Sequence, residues 1–167
     1  MGMVPFYTRF RELALQEMRS ATIQGWEDLP DGEYGFLEFY CNDDQCDCRR
    51  VLIQVIAKSD PAKPWATINY GWESEAFYYR RLGDHELAEE CTRPTLDPLN
   101  PQSKYAPALL RLFGEVVQDT AYVQRLQRHY ELFKRQGQRA EKKAGGASHG
   151  RRGGHPPRRR FSPAGRT

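Results

Sequence analysis

Three of the chain's four cysteines fall within eight positions, Cys41-Asn-Asp-Asp-Gln-Cys46-Asp-Cys48. Thiols this close in sequence can meet at one point without help from the rest of the fold. Zinc takes four ligands in a tetrahedron, and thiolate sulfur is a favoured donor in its structural sites. In a reducing compartment, clustered cysteines bind metal more often than they form disulfides. The spacing C-x4-C-x-C differs from the paired C-x2-C of common zinc modules. Free, inert thiols are the competing explanation.

The fourth ligand is less defined. Cys91 is the first candidate and would complete a four-thiolate structural site, but it lies 43 residues after Cys48. It is equally well explained as a thiol packed in the core. His85, Asp43, Asp44 or a water could also close the site. A water would matter, because an open position marks a catalytic zinc. Glu86, Asp43 or Asp44 would then serve as base. Arg49 and Arg50 follow the cluster directly; they would offset the charge of the thiolates or face solvent as strand-edge cations.

Other patterns fall short. His85-Glu86-Leu87-Ala88-Glu89 has Glu where the zinc-protease helix needs its second His four residues on. The acids Asp43, Asp44 and Asp47 lack calcium-loop spacing and read as turn formers. The sequence contains no phosphate-binding glycine loop and no nucleophile elbow.

The cluster needs a scaffold to hold it. Glu33–Cys41, Arg49–Lys58 and Trp65–Trp72 are rich in β-branched and aromatic residues and read as strands. Short connections predict an antiparallel meander with the cysteines at its first hairpin tip. Phe6, Phe10, Leu13 and Met18 recur at roughly helical spacing and predict an N-terminal helix. Ser74 and Gly83 should bracket a helix over 75–82, with a short one over 84–91. Three prolines make 92–102 an extended connector. A helix from Ser103 buries Leu109, Leu110, Leu112, Phe113, Val116 and Val117. Asp119 caps the last helix, whose stripe is Val123, Leu126, Tyr130 and Phe133. The aromatic run Trp65, Tyr70, Trp72, Phe77, Tyr78 and Tyr79 is expected to be core, with Tyr78 or Tyr79 the exposed members. The class is α+β: an N-terminal helix, a three-stranded antiparallel sheet with a zinc-knuckle-like hairpin tip, then C-terminal helices.

Charge divides the chain. Residues 1–136 carry 16 Lys and Arg against 21 Asp and Glu, a net of −5. Residues 137–167 carry 9 against 1, a net of +8, so the overall +3 describes neither part. The first segment reads as one globular domain. The second, with seven Gly, three Pro and seven Arg, reads as a disordered basic tail. Its Arg151, Arg152, Arg158, Arg159 and Arg160 could touch nucleic acid without sequence preference; a solvated terminus without a partner is the plainer account. No apolar run is long enough for a membrane span, and the N-terminus lacks the apolar core of a secretory signal. A cytoplasmic location is expected.

Four segments are distinctive: Trp26-Glu-Asp-Leu-Pro-Asp-Gly-Glu-Tyr34, Phe39-Tyr-Cys-Asn-Asp-Asp-Gln-Cys-Asp-Cys-Arg-Arg-Val51, Trp65-Ala-Thr-Ile-Asn-Tyr-Gly-Trp-Glu-Ser74 and Leu96-Asp-Pro-Leu-Asn-Pro-Gln-Ser-Lys-Tyr-Ala106. Through them the chain resembles a family of uncharacterised bacterial proteins over about two thirds of its length. The resemblance implies that Cys41, Cys46 and Cys48 act as a unit and does not extend to Cys91. Relatives often continue into a short zinc motif like that at the end of the SecA translocase. No cysteine follows Cys91 here, so the ribosome or chaperone docking that motif implies is not carried over.

Three functions follow as expectations. The first is a small protein with one structural zinc and a binding role, with nucleic acid or a translation-related component as partner. The second is a zinc enzyme with three thiolates and an open coordination position. The third is a metal-free interaction protein acting through the last two helices.

Overall fold

The computed structural model describes residues 2–43 and 45–146. Six strands form one antiparallel sheet: β1 (Met3–Pro5), β2 (Arg19–Ile23), β3 (Gly32–Cys41), β4 (Arg50–Ala57), β5 (Ala66–Gly71) and β6 (Thr95–Leu96). Helices are α1 (Arg11–Glu17), α2 (Glu75–Leu82), α3 (His85–Cys91), α4 (Ala106–Val116) and α5 (Thr120–Gly146), with one 3-10 turn at Phe6–Thr8. The α+β class holds, and the three expected strands are the centre of the sheet.

Two parts of the expected architecture are corrected. The sheet has six strands rather than three, and the single N-terminal helix is replaced by strand, 3-10 turn, short helix and strand. The physical cause is the free edge of β3. That strand is ten residues long, and its outer backbone groups need partners. β1 pairs with residues 39–41 and β2 with residues 32–36, so two short strands share the edge. Of the residues whose spacing suggested a helix, Phe6 lies in the 3-10 turn and Phe10, Leu13 and Met18 lie in or at the ends of the seven-residue α1, and the strands flank them at 3–5 and 19–23.

At the other edge, β6 pairs with Ile68 and Asn69. Prolines 98 and 101 cannot donate a backbone hydrogen bond. The Gln102 side chain takes over: its Oε1 accepts from the Thr67 amide, and its Nε2 donates to the Thr67 and Asp97 carbonyls, each at 2.9 Å.

α4 and α5 cover the inner face of the sheet. Phe36, Tyr40, Val51, Ile53, Val55 and Ile68 are buried there against Leu109, Leu112, Phe113, Leu126 and Phe133. Tyr122 joins them, whereas Val123 of the expected stripe is half-buried. Asp119 caps α5 by accepting from the Ala121 amide. That helix runs to Gly146, beyond the boundary expected at residue 137. No helix among the described residues is long and apolar enough to cross a membrane.

α1 buries no residue of its own. Leu13 and Ala14 pack half-buried against the core, and polar contacts add to that hold. Glu17 Oε2 lies 2.7 Å from Nε2 of the buried His129, and His129 Nδ1 lies 2.7 Å from Oε2 of the buried Glu38. Arg128 also reaches the Glu17 carboxylate, and Arg125 donates to the Glu17 carbonyl at 2.8 Å. Phe6 stacks on the His129 ring at 4.2 Å.

The outer face of the sheet is only partly covered. α2 and α3 stand over one side and leave a cleft of about 870 Å³, floored by Phe39, Leu52, Gln54 and Asn69 and rimmed by Leu82, Leu87 and Leu99. Ser74 caps α2 by accepting from the Phe77 amide, and Gly83 closes it in the left-handed conformation. Of the aromatic run, Tyr79 is exposed but Tyr78 is buried.

Candidate metal centre

The β3–β4 connection is built to fold back on itself. Asp43 makes the turn: its carboxylate accepts from the Gln45 amide at 3.0 Å, and its carbonyl accepts from the Cys46 amide at 3.1 Å. This returns Cys46 and Cys48 toward Cys41, the last residue of β3. The three Sγ atoms all lie within 4.8 Å of one another. Two sulfurs on one tetrahedral zinc, with bonds of ~2.3 Å, sit roughly 3.8 Å apart. The cluster therefore needs only a small contraction to hold an ion. All three cysteines are half-buried and free of disulfides.

Arg49 carries the chain from the cluster into β4 with φ +46°, a left-handed conformation unusual for arginine. Such a backbone costs about 1–2 kcal/mol, and the surroundings hold it. The guanidinium donates to Asp47 at 3.0 Å and to Glu73 at 2.9 Å and lies 4.8 Å from the Phe77 ring centre. Its carbonyl accepts from the Tyr78 hydroxyl at 2.8 Å. Arg49 is thus a fixed part of the loop and not a free edge cation.

Asp47, between two of the cysteines, accepts from Arg49, from Arg81 of α2 at 2.9 Å and from Tyr130 of α5 at 3.3 Å. The hydrogen bond from Arg49 is the strongest influence holding its carboxyl below the usual range.

Lys134 supplies the decisive electrostatic feature. It is 8% exposed, and its Nζ donates to the Asp43 carbonyl at 2.6 Å. Among the described residues no carboxylate pairs with it. The Nζ also lies 5.5 Å from the centre of the Tyr130 ring. Its field falls on Cys48, where it favours the thiolate. Burial, followed by the neighbouring Cys46 and Cys41, nevertheless pushes the Cys48 thiol up to about 12. Without an ion this thiol stays protonated at neutral pH. A bound cation reverses the balance by stabilising the thiolate.

The expected fourth ligands do not join the group. Cys91 closes α3 and is buried with Phe77, Tyr78 and Ala88, and the cysteine cluster among the described residues is Cys41, Cys46 and Cys48. His85 stacks on Tyr79 at 4.0 Å and meets Glu75 at 3.1 Å. The Asp43 carboxylate is turned to the Gln45 amide. Asp44 and the arginines 151, 152, 158, 159 and 160 lie outside the described residues.

Sequence reasoning did not single out Lys134, Asp47 or Tyr78 as parts of this centre. One signal was available for Lys134: it stands four residues after Tyr130 and directly after Phe133, on the apolar stripe of α5, where a lysine is out of place. No family model, curated protein or solved structure matches the chain.

Proposed function

We propose that this chain binds one zinc ion through Cys41, Cys46 and Cys48, and that the ion serves a structural role in a protein that works by binding. The observation that carries this reading is the convergence of three thiols beside a buried lysine without a described carboxylate partner. Zinc with three thiolates has a net charge of −1, and the Lys134 ammonium offsets it. The same charge balance gives a reason for burying Lys134. Integration of the loop supports a structural role, because Asp43, Asp47 and Arg49 are each tied to α2 or α5. The resemblance to the bacterial family, which we retain as a proposal, treats the same three cysteines as a unit.

A second reading rests on the count of three. If no further side chain closes the sphere, a water or an incoming donor takes the fourth position, as a zinc enzyme requires. Cobalt substitution tests both readings. Cobalt bound at this site should show intense sulfur-to-metal charge-transfer bands that disappear in Cys46→Ser. Visible bands that do not move on adding imidazole or a small thiol support a closed structural sphere. Bands that shift support the open one. Absence of charge-transfer bands in the wild type contradicts the thiolate site.

A further inference from the structure

We infer that the cysteine loop is the clamp that seats α2 and α3 on the sheet, so that metal occupancy sets one wall of the outer-face cleft. This rests on the zinc reading above and adds a consequence of it.

Apart from the loop, the two helices meet the sheet where Tyr78 and the Cys91 carbonyl pack against Gly71 of β5. Phe77, Tyr78, Ala88 and Cys91 form a small buried cluster of their own, separate from the main core. Three contacts join α2 to the loop. The Tyr78 hydroxyl donates to the Arg49 carbonyl at 2.8 Å, Arg81 donates to Asp47 at 2.9 Å, and the Arg49 guanidinium lies over Phe77. Arg81 stacks on the same ring at 3.8 Å, so Phe77 is held between two arginines that both reach Asp47.

The loop in turn has few internal restraints. Its described backbone hydrogen bonds are those of Asn42 to Gly2 and Cys46 to Asp43. Side chains add the Asp43 bond to the Gln45 amide, the Arg49–Asp47 pair and the Tyr130 and Lys134 contacts from α5, and the convergence of the three cysteines would let an ion close the loop. Removing the ion leaves three thiols with no mutual attraction and an ammonium with no described counter-charge. The loop then loosens, and Asp47 and Arg49 no longer present a fixed surface to α2. Leu82, Leu87, Glu90 and Cys91, the cleft residues on these helices, move with it. The centre of the sheet does not depend on the loop, because Val51, Ile53 and Val55 are fully buried under α4 and α5. The coupling runs through a contiguous chain of contacts from the cysteines to the cleft.

Hydrogen exchange on the full chain tests this, zinc-loaded and chelator-stripped, with zinc per chain measured on the same samples. Stripping should speed exchange across residues 75–91 by about tenfold or more while 51–55 stay protected, the signature of local opening. Tyr78→Phe should keep its zinc yet exchange faster across 75–91 when loaded. Bound zinc with unchanged exchange in 75–91 on stripping overturns the coupling and leaves the metal reading intact. Loss of protection in 51–55 together with 75–91 makes the ion a global staple and also overturns it. A wild type that never binds zinc overturns both.

Discussion

Lys134 and Gly71 each make a demand that can be tested by one substitution. Lys134→Met keeps the length and packing of the side chain but removes the cation beside Cys48. Zinc binding should weaken by about tenfold, or ~1.4 kcal/mol, in a competition titration against a chromophoric chelator. Unchanged affinity would show that the ammonium is not the counter-ion of the thiolates. Gly71 lies on β5 where α2 and α3 press closest. A Cβ there would overlap the Tyr78 hydroxyl and the Cys91 carbonyl oxygen. Gly71→Ala should destabilise the fold by about 1–3 kcal/mol through this overpacking, read from denaturant midpoints. The three clustered cysteines were legible because ligand type and spacing are local facts. The packing of Cys91 between α2 and α3 was not. Its place depends on how two short helices dock, and nothing within the chain's local pattern states that.

At the scale of elements, α1 offers the clearest electrostatic prediction. Partial burial tends to raise the Glu17 carboxyl, but hydrogen bonds from His129 and Arg128 outweigh it and hold the group below the usual range of about 4.5. A carboxyl lowered by folding adds stability above its unfolded pKa, and that stability is lost as pH falls through the folded value. Melting temperature should therefore drop on acidification below about pH 4.5, and Glu17→Gln should flatten that part of the profile. Identical acid limbs in the two proteins would remove Glu17 from the account. α1 also shows why the N-terminal elements were misjudged. The helical spacing of Phe6, Phe10, Leu13 and Met18 covers only the helical turn and α1, and the residues on either side, 3–5 and 19–23, went to the open edge of β3. The central strands were legible because β-branched and aromatic residues are dense in them. Strands of two and three residues, such as β6 and β1, carry no such pattern.

Over the whole molecule, one face of the sheet is sealed by two long amphipathic helices and the other is left to a small helical pair. The cysteine loop stands where these two halves meet, touching α5 through Tyr130 and Lys134 and α2 through Tyr78 and Arg81. An ion at this place would stiffen both contacts at once, which is the physical basis for assigning it a structural role. The α+β class and the helices that seal the core could be read from periodicity. The cleft could not, because it exists only where packing stops short.

Zinc content per chain tests this account most directly, measured by elemental analysis on untagged protein purified in reductant and without chelator. Wild type and Cys91→Ser should each carry one zinc, and Cys46→Ser should carry none. A metal-free wild type, or zinc lost from Cys91→Ser while the fold is retained, would contradict the three-cysteine site.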